Sequence, residues 1–164
     1  FLTDEGAKVL AADINEDNLK RVSELRGVSV IDNDTAPFAE ADIYAPCALG
    51  GILNPDIIPQ LKVQAIAGGA NNQLLDEARD GDALRSRGIS HGPDFLINAG
   101  GLINVYTEIE GYDEDKSRNK IEEIYYKTLE VLKRSDEKAI PAQLAAIELA
   151  EERVAAMGRI KQYR

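Results

Sequence analysis

Apolar positions come in short runs separated by glycines and polar turns as far as residue 111, and in helical stripes beyond it. The run over residues 7–12 (AKVLAA) is nearly all apolar and ends at Asp13, the pattern of a strand buried on both faces. Residues 1–6 read as the last turn of a helix stopped by Gly6. Asn15 is placed to cap a helix carrying Leu19, Val22 and Leu25, closed by Gly27. Further short strands are predicted over 28–31, 42–45, 63–67 and 89–91, with helical or turn segments over 55–61 and 74–79. Strands alternating with helices pair in parallel through crossovers, so the pattern predicts an α/β fold with an open, Rossmann-like parallel sheet.

Past Gly111 the spacing changes. Ile121, Ile124, Tyr125, Thr128, Leu129 and Leu132 form one stripe of a long amphipathic helix. A second helix is expected from Pro141, with Leu144, Ile147, Val154 and Met157 on its packing face. The chain therefore divides, on this reading, into an α/β part over 1–111 and a helical segment over 112–164 that packs on it.

Length and charge narrow the classes. A chain of 164 residues is about one ordinary domain, too short for a complete two-domain enzyme. Its formal charge of −10 disfavours phosphate backbones and anionic lipid surfaces as partners, so neither nucleic acid nor membrane is expected. The single cysteine, Cys47, leaves no internal disulfide and fits a reducing, cytoplasmic compartment.

The residues with chemical potential lie at strand ends. Asp13 stands where an open α/β sheet places the acid that binds both ribose hydroxyls of an adenosine, and its charge there disfavours a 2′-phosphate. A glycine-rich phosphate loop belongs about 20 residues before that acid, and only 12 residues precede it here. The first strand and phosphate loop are thus expected to lie outside this chain. Three later segments follow strands directly: residues 45–51 (APCALGG), 67–72 (AGGANN) and 98–101 (NAGG). Small residues there let backbone approach a bound ring, and Asn71 and Asn98 each offer an amide donor and acceptor. Cys47 with His91, the one histidine, makes a weak nucleophilic pair, and His91 reads as structural. The acids Asp32, Asp34, Glu40 and Asp42 match no calcium-loop spacing and read as solvated charge; no metal site is expected. No residue stands out as a general acid or base, so none is assigned as catalytic.

Four ordered blocks carry a resemblance: residues 6–15 (GAKVLAADIN), 45–51, 67–74 (AGGANNQL) and 93–105 (PDFLINAGGLINV), together with Glu108-Ile109-Glu110-Gly111-Tyr112. They resemble the glutamate/leucine/phenylalanine/valine dehydrogenases, nearest to the leucine dehydrogenases. The resemblance implies NAD-dependent, reversible oxidative deamination of branched-chain L-amino acids (leucine, valine, isoleucine) to 2-oxo acids and ammonia. It places Asp13 and Ile14 at the adenosine, Cys47, Ala48, Leu49 and Gly68 along the cofactor path, and Asn71 and Asn98 near the nicotinamide or the substrate. Asn72, Leu102 and Val105 would face the substrate, and aliphatic Leu102 and Val105 suit an aliphatic side chain. The catalytic lysine and aspartate of such enzymes, and the lysine that binds the substrate carboxylate, belong to an N-terminal domain; the chain is expected to need that domain and to be inactive alone. Homo-oligomers are implied for the full-length protein. A phenylalanine or valine dehydrogenase, or a non-catalytic domain serving oligomerisation or regulation, are the alternatives on sequence grounds.

Overall fold

The computed structural model describes residues 1–161; residues 162–164, the end of the expected C-terminal segment, lie outside the described residues. The chain forms two compact units, Phe1–Glu40 with Gln60–Lys62, and Ala41–Pro59 with Val63 onward. The change of character at Gly111 appears as the end of a helix within the second unit.

In the first unit, β1 (Val9–Ala11) pairs in parallel with β2 (Val28–Val30), Val9 opposite Val28 and Ala11 opposite Val30. Between them lies α1 (Glu16–Ser23). Its start is set by Asn15, whose side chain accepts from the N–H groups of Asp17 and Asn18, with Glu16 and Asp17 favourably placed at the positive end of the helix dipole. The helix stops at Ser23, short of Gly27, which takes a left-handed φ of 84° in the following turn. Residues 1–6 make a turn closed by Ala7 N–H to the Leu2 carbonyl and Gly6 N–H to the Thr3 carbonyl, the bond pair of a glycine-terminated helical turn. One expectation fails here. The strand predicted as buried on both faces is half exposed, with Leu10 at 45%; among the described residues it pairs with one strand, whose Val30 is also exposed.

In the second unit, β3 (Ile43–Tyr44), β4 (Ala65–Ile66) and β5 (Ser90–His91) form a parallel sheet with β4 in the middle. A single 3-10 turn, Ile58–Gln60, falls where a helix or turn was expected over 55–61, and its Ile58 is buried. α2 (Glu77–Ser86) starts later than predicted, because the side chain of Asp76 accepts from Arg79 N–H and caps it there. α3 (Asp94–Ile97), α4 (Gly100–Ile109), α5 (Glu114–Lys138) and α6 (Ala142–Lys161) follow. Leu53, Ile66, Leu74, Leu84 and Ile89 are buried, and Val131, Ala142, Ala145 and Ala146 make a cluster with Leu96, Leu132, Ile140 and Leu149.

The helices bury the expected faces only in part: Ile124, Thr128 and Leu132 of the predicted α5 stripe, and Leu144 and Ile147 on α6, are half-buried. On α5 the inward face runs through Ser117, Ile124, Thr128, Val131 and Ser135, while Ile121, Tyr125 and Leu129 are exposed. Polar residues turn inward at little cost because each hydroxyl has a local acceptor: Ser117 donates to Asn104 Oδ1, Thr128 to the Ile124 carbonyl and Ser135 to the Ile140 carbonyl. On α6 Ala142, Ala145 and Ala146 cluster with Val131 of α5, and Val154 and Met157 are exposed. Small side chains allow close approach of the two helices, and Arg134 bridges them with a two-pronged bond to Glu152 at 2.8 and 2.9 Å. Among the described residues no helix is long and apolar enough to cross a membrane.

Candidate functional site

Three loops leave the carboxyl ends of β3, β4 and β5, where parallel sheets offer ligands a crevice. They are fastened to one another by backbone bonds: Ala70 N–H to the Pro46 carbonyl at 3.0 Å, Gly51 N–H to the Asn72 carbonyl at 2.7 Å, and Gly92 N–H to the Ile66 carbonyl at 2.9 Å. The approach is close enough to demand glycine twice. A Cβ on Gly68 would fall on the backbone of Pro46, and one on Gly50 would meet the carbonyl oxygens of Asn71 and Asn72 at 2.8 and 3.0 Å.

Asn72 has a left-handed φ of 52°, uncommon outside glycine and tolerated best by asparagine and aspartate. Its N–H donates to Asp94 Oδ2 at 2.8 Å, a charge-assisted bond across 22 residues that holds the strained turn in place. Asp94, buried at the start of α3, thus ties the second loop to the third.

Asn71 and Asn98 meet. The Asn98 amide nitrogen donates to Asn71 Oδ1 at 2.5 Å and lies 3.5 Å from the Gly69 carbonyl. A carbonyl only accepts, so the Asn98 NH₂ must face it. Asn98 Oδ1 and the Asn71 NH₂ are then left over: one acceptor and one donor, the group types that a primary carboxamide complements. Asn71 and Asn72 are exposed and Asn98 is half-buried.

Beside the second loop a polar pair joins Gln73, which carries no signal in the sequence, to His91, which is structural as expected. Gln73 is fully buried, and its amide nitrogen donates to the carbonyls of Gly68 at 2.7 Å and Ala70 at 3.0 Å. His91 Nε2 stands 3.4 Å from Gln73 Oε1. With both Gln73 N–H groups spent on carbonyls, the glutamine oxygen faces His91, so Nε2 carries the proton. Burial drives the His91 pKa from its ordinary 6.5 down to about 4, against a smaller opposing effect of Asp94. His91 is therefore neutral in the fold at pH values where the unfolded chain protonates it, and its contribution to stability is present above pH 6.5 and lost as pH falls toward 4. Over that window the loss reaches roughly 3 kcal/mol. Urea unfolding of the wild type and a His91→Phe variant between those pH values should show the variant with the shallower decline; parallel curves would exclude the buried neutral imidazole.

The remaining expected site residues are exposed and unengaged in the second unit: the Cys47 thiol, Ala48 and Leu49 on the first loop, and Leu102 and Val105 one turn apart on α4. In the first unit, Asp13 follows β1. Its carboxylate accepts from Asn15 N–H at 2.9 Å and from the Asn18 amide at 3.0 Å, and these bonds hold its pKa below the usual carboxylate range. It is ionised at neutral pH and doubles as a brace for the start of α1. Ile14 beside it is 89% exposed.

The family model for glutamate/leucine/phenylalanine/valine dehydrogenases matches residues 5–160. The chain belongs to that dehydrogenase family. It is 47% identical over 158 residues to a leucine dehydrogenase of Bacillus subtilis, covering 96% of this chain and 43% of the relative. A phenylalanine dehydrogenase of Bacillus thermotolerans is 41% identical over 163 residues, covering 96% of this chain and 42% of the relative. Among solved structures, the crystal structure of L-tryptophan dehydrogenase from Nostoc punctiforme superposes with a TM-score of 0.92 at 39% identity, covering 96% of this chain and 47% of that one. The chain thus spans less than half the length of the curated relatives it matches. These relatives are named for leucine, phenylalanine and tryptophan.

Proposed function

We propose that this chain is the cofactor-holding part of an NAD-dependent dehydrogenase that reversibly deaminates branched-chain L-amino acids, with leucine, valine and isoleucine as substrates, to 2-oxo acids and ammonia. The observation that carries the reading is the Asn71–Asn98 pair, whose one hydrogen bond leaves an amide donor and an amide acceptor uncommitted at the carboxyl end of a parallel sheet. That is the pattern needed to hold the carboxamide of a nicotinamide ring. When bound, the nicotinamide supplies the hydride acceptor.

The chain's own residues bind and orient. Gly68 and Gly50 keep the loops low enough for a flat ring to lie over backbone, and Cys47, Ala48 and Leu49 give that path a small and aliphatic lining. The ionised Asp13 accepts from ribose hydroxyls and repels a 2′-phosphate, while exposed Ile14 offers apolar cover. Asn72, fixed in its unusual backbone conformation by Asp94, presents a polar side chain toward the substrate, and Leu102 and Val105 provide an aliphatic surface for its side chain. An uncharged aliphatic surface leaves a second carboxylate without a partner, which disfavours glutamate. General acid–base groups come, on this reading, from an N-terminal domain of the same protein, and the full-length enzyme is a cytoplasmic homo-oligomer.

Cofactor choice tests the assignment. In the full-length protein that carries this chain, Asp13→Ala should reduce the preference for NAD over NADP by roughly ten- to a hundredfold, the worth of a charge-assisted bond to the ribose. Measured kcat/KM ratios for the two cofactors that do not change would remove Asp13 from the cofactor.

A further inference from the structure

We infer that Gln73, which is too deeply buried to touch a ligand, is a positioning residue: its side-chain amide locks the second loop so that Asn71 stays in register with Asn98. The inference rests on the reading of the Asn71–Asn98 pair as a carboxamide holder. The loop opens with two consecutive glycines, Gly68 and Gly69, which give the backbone many accessible conformations. Three successive carbonyls in it are nevertheless committed. Those of Gly68 and Ala70 accept from Gln73, at 2.7 and 3.0 Å, and that of Gly69 points to the Asn98 amide at 3.5 Å. Amide groups thus hold the peptide planes immediately before Asn71 from two sides.

Gln73 is oriented in turn by His91, the Nε2 proton of which faces its oxygen. A fully buried glutamine costs desolvation that only bonded partners offset. A side chain needed solely to fill the space would be aliphatic. Gln73 satisfies both donor hydrogens and its acceptor: the two donor bonds end on the loop that carries Asn71, and the acceptor faces His91 on β5.

The test compares NAD with its acetylpyridine analogue, in which a methyl group replaces the carboxamide NH₂, by titration calorimetry on the full-length protein. The wild type should bind NAD more tightly than the analogue, because Asn98 Oδ1 has no donor to accept from in the latter. Gln73→Leu should weaken NAD on the order of tenfold, the effect of leaving buried carbonyls without donors, while the analogue's dissociation constant moves much less, so that discrimination collapses. His91→Phe, which leaves Gln73 in place but unoriented, should shift the ratio in the same direction by a smaller factor and serves if the leucine variant does not fold. Equal weakening of both ligands, or unchanged discrimination in the variants, would mean that Gln73 merely supports the fold and would overturn the inference. Asn98→Ala separates the levels. If that variant abolishes discrimination while the Gln73 and His91 variants keep it, the positioning role fails and the carboxamide reading stands. If Asn98→Ala leaves discrimination intact, the carboxamide reading fails and takes the inference with it.

Discussion

The 164-residue chain by itself is expected to produce no measurable reduced cofactor from L-leucine and NAD. Removing hydride from an α-carbon that bears an amine requires a proton to leave that nitrogen and a water to add to the resulting imine. A positioned acid or base contributes typically 10²- to 10⁴-fold to such steps. The loops at the strand ends, residues 45–51, 67–73 and 92–98, contain no lysine, arginine or glutamate. The carboxylate of Asp94 is buried and engaged by Asn72 N–H, and His91 is buried against Gln73. Asparagine amides hold and orient but do not exchange protons at neutral pH. A stopped assay of ammonia release with the purified chain checks this, and turnover well above background would place a proton-transfer group within the chain after all.

Gly68→Ala should be the most damaging single substitution at the site. A methyl group there would overlap the Pro46 backbone, with the Pro46 nitrogen at 2.5 Å and its carbonyl oxygen nearer still. Backbone atoms cannot rotate aside as a side-chain end does, so the second loop must lift away from the first. The bond from Ala70 N–H to the Pro46 carbonyl then stretches, and so does the Gln73 bond to the Gly68 carbonyl. Overpacking of this kind costs about 1–3 kcal/mol, occasionally more, and displaces Asn71 from Asn98. Gly69→Ala is the internal control, because a Cβ there has nothing within 4 Å. Urea unfolding and NAD titration of the two variants in the full-length protein should separate them widely. Equal effects would mean that the loops are not held as close as their backbone bonds indicate.

The alternation of strands and glycine loops was legible along the chain because it is local. Asn15 as a cap, Pro141 before the last helix, and the parallel strands near residues 9, 28, 43, 65 and 90 follow from neighbours within a few positions. What escaped is what depends on distance along the chain. Asn71 and Asn98 are 27 residues apart, Asn72 and Asp94 are 22 apart, and Gln73 and His91 are 18 apart. Asp94 after Pro93 reads locally as a helix opener, and Gln73 reads as one more polar loop residue. Periodicity succeeded only in part on α5 for a related reason. The predicted stripe took in Ile124, Thr128 and Leu132, which turn inward, together with Ile121, Tyr125 and Leu129, which are exposed, and it left out Ser117 and Ser135, polar residues that are buried and satisfied by their own acceptors. The exposure of β1 is likewise invisible to pattern, since an apolar run states what a strand could bury and not what covers it.

The central claim is that this chain holds the cofactor of an amino-acid dehydrogenase with an aliphatic substrate pocket. The most direct measurement is the absorbance of reduced nicotinamide when the full-length protein that carries it is mixed with NAD and L-leucine, L-valine or L-isoleucine. The account predicts steady NAD reduction with these three and none with L-glutamate; no reduction with any of the three would contradict it.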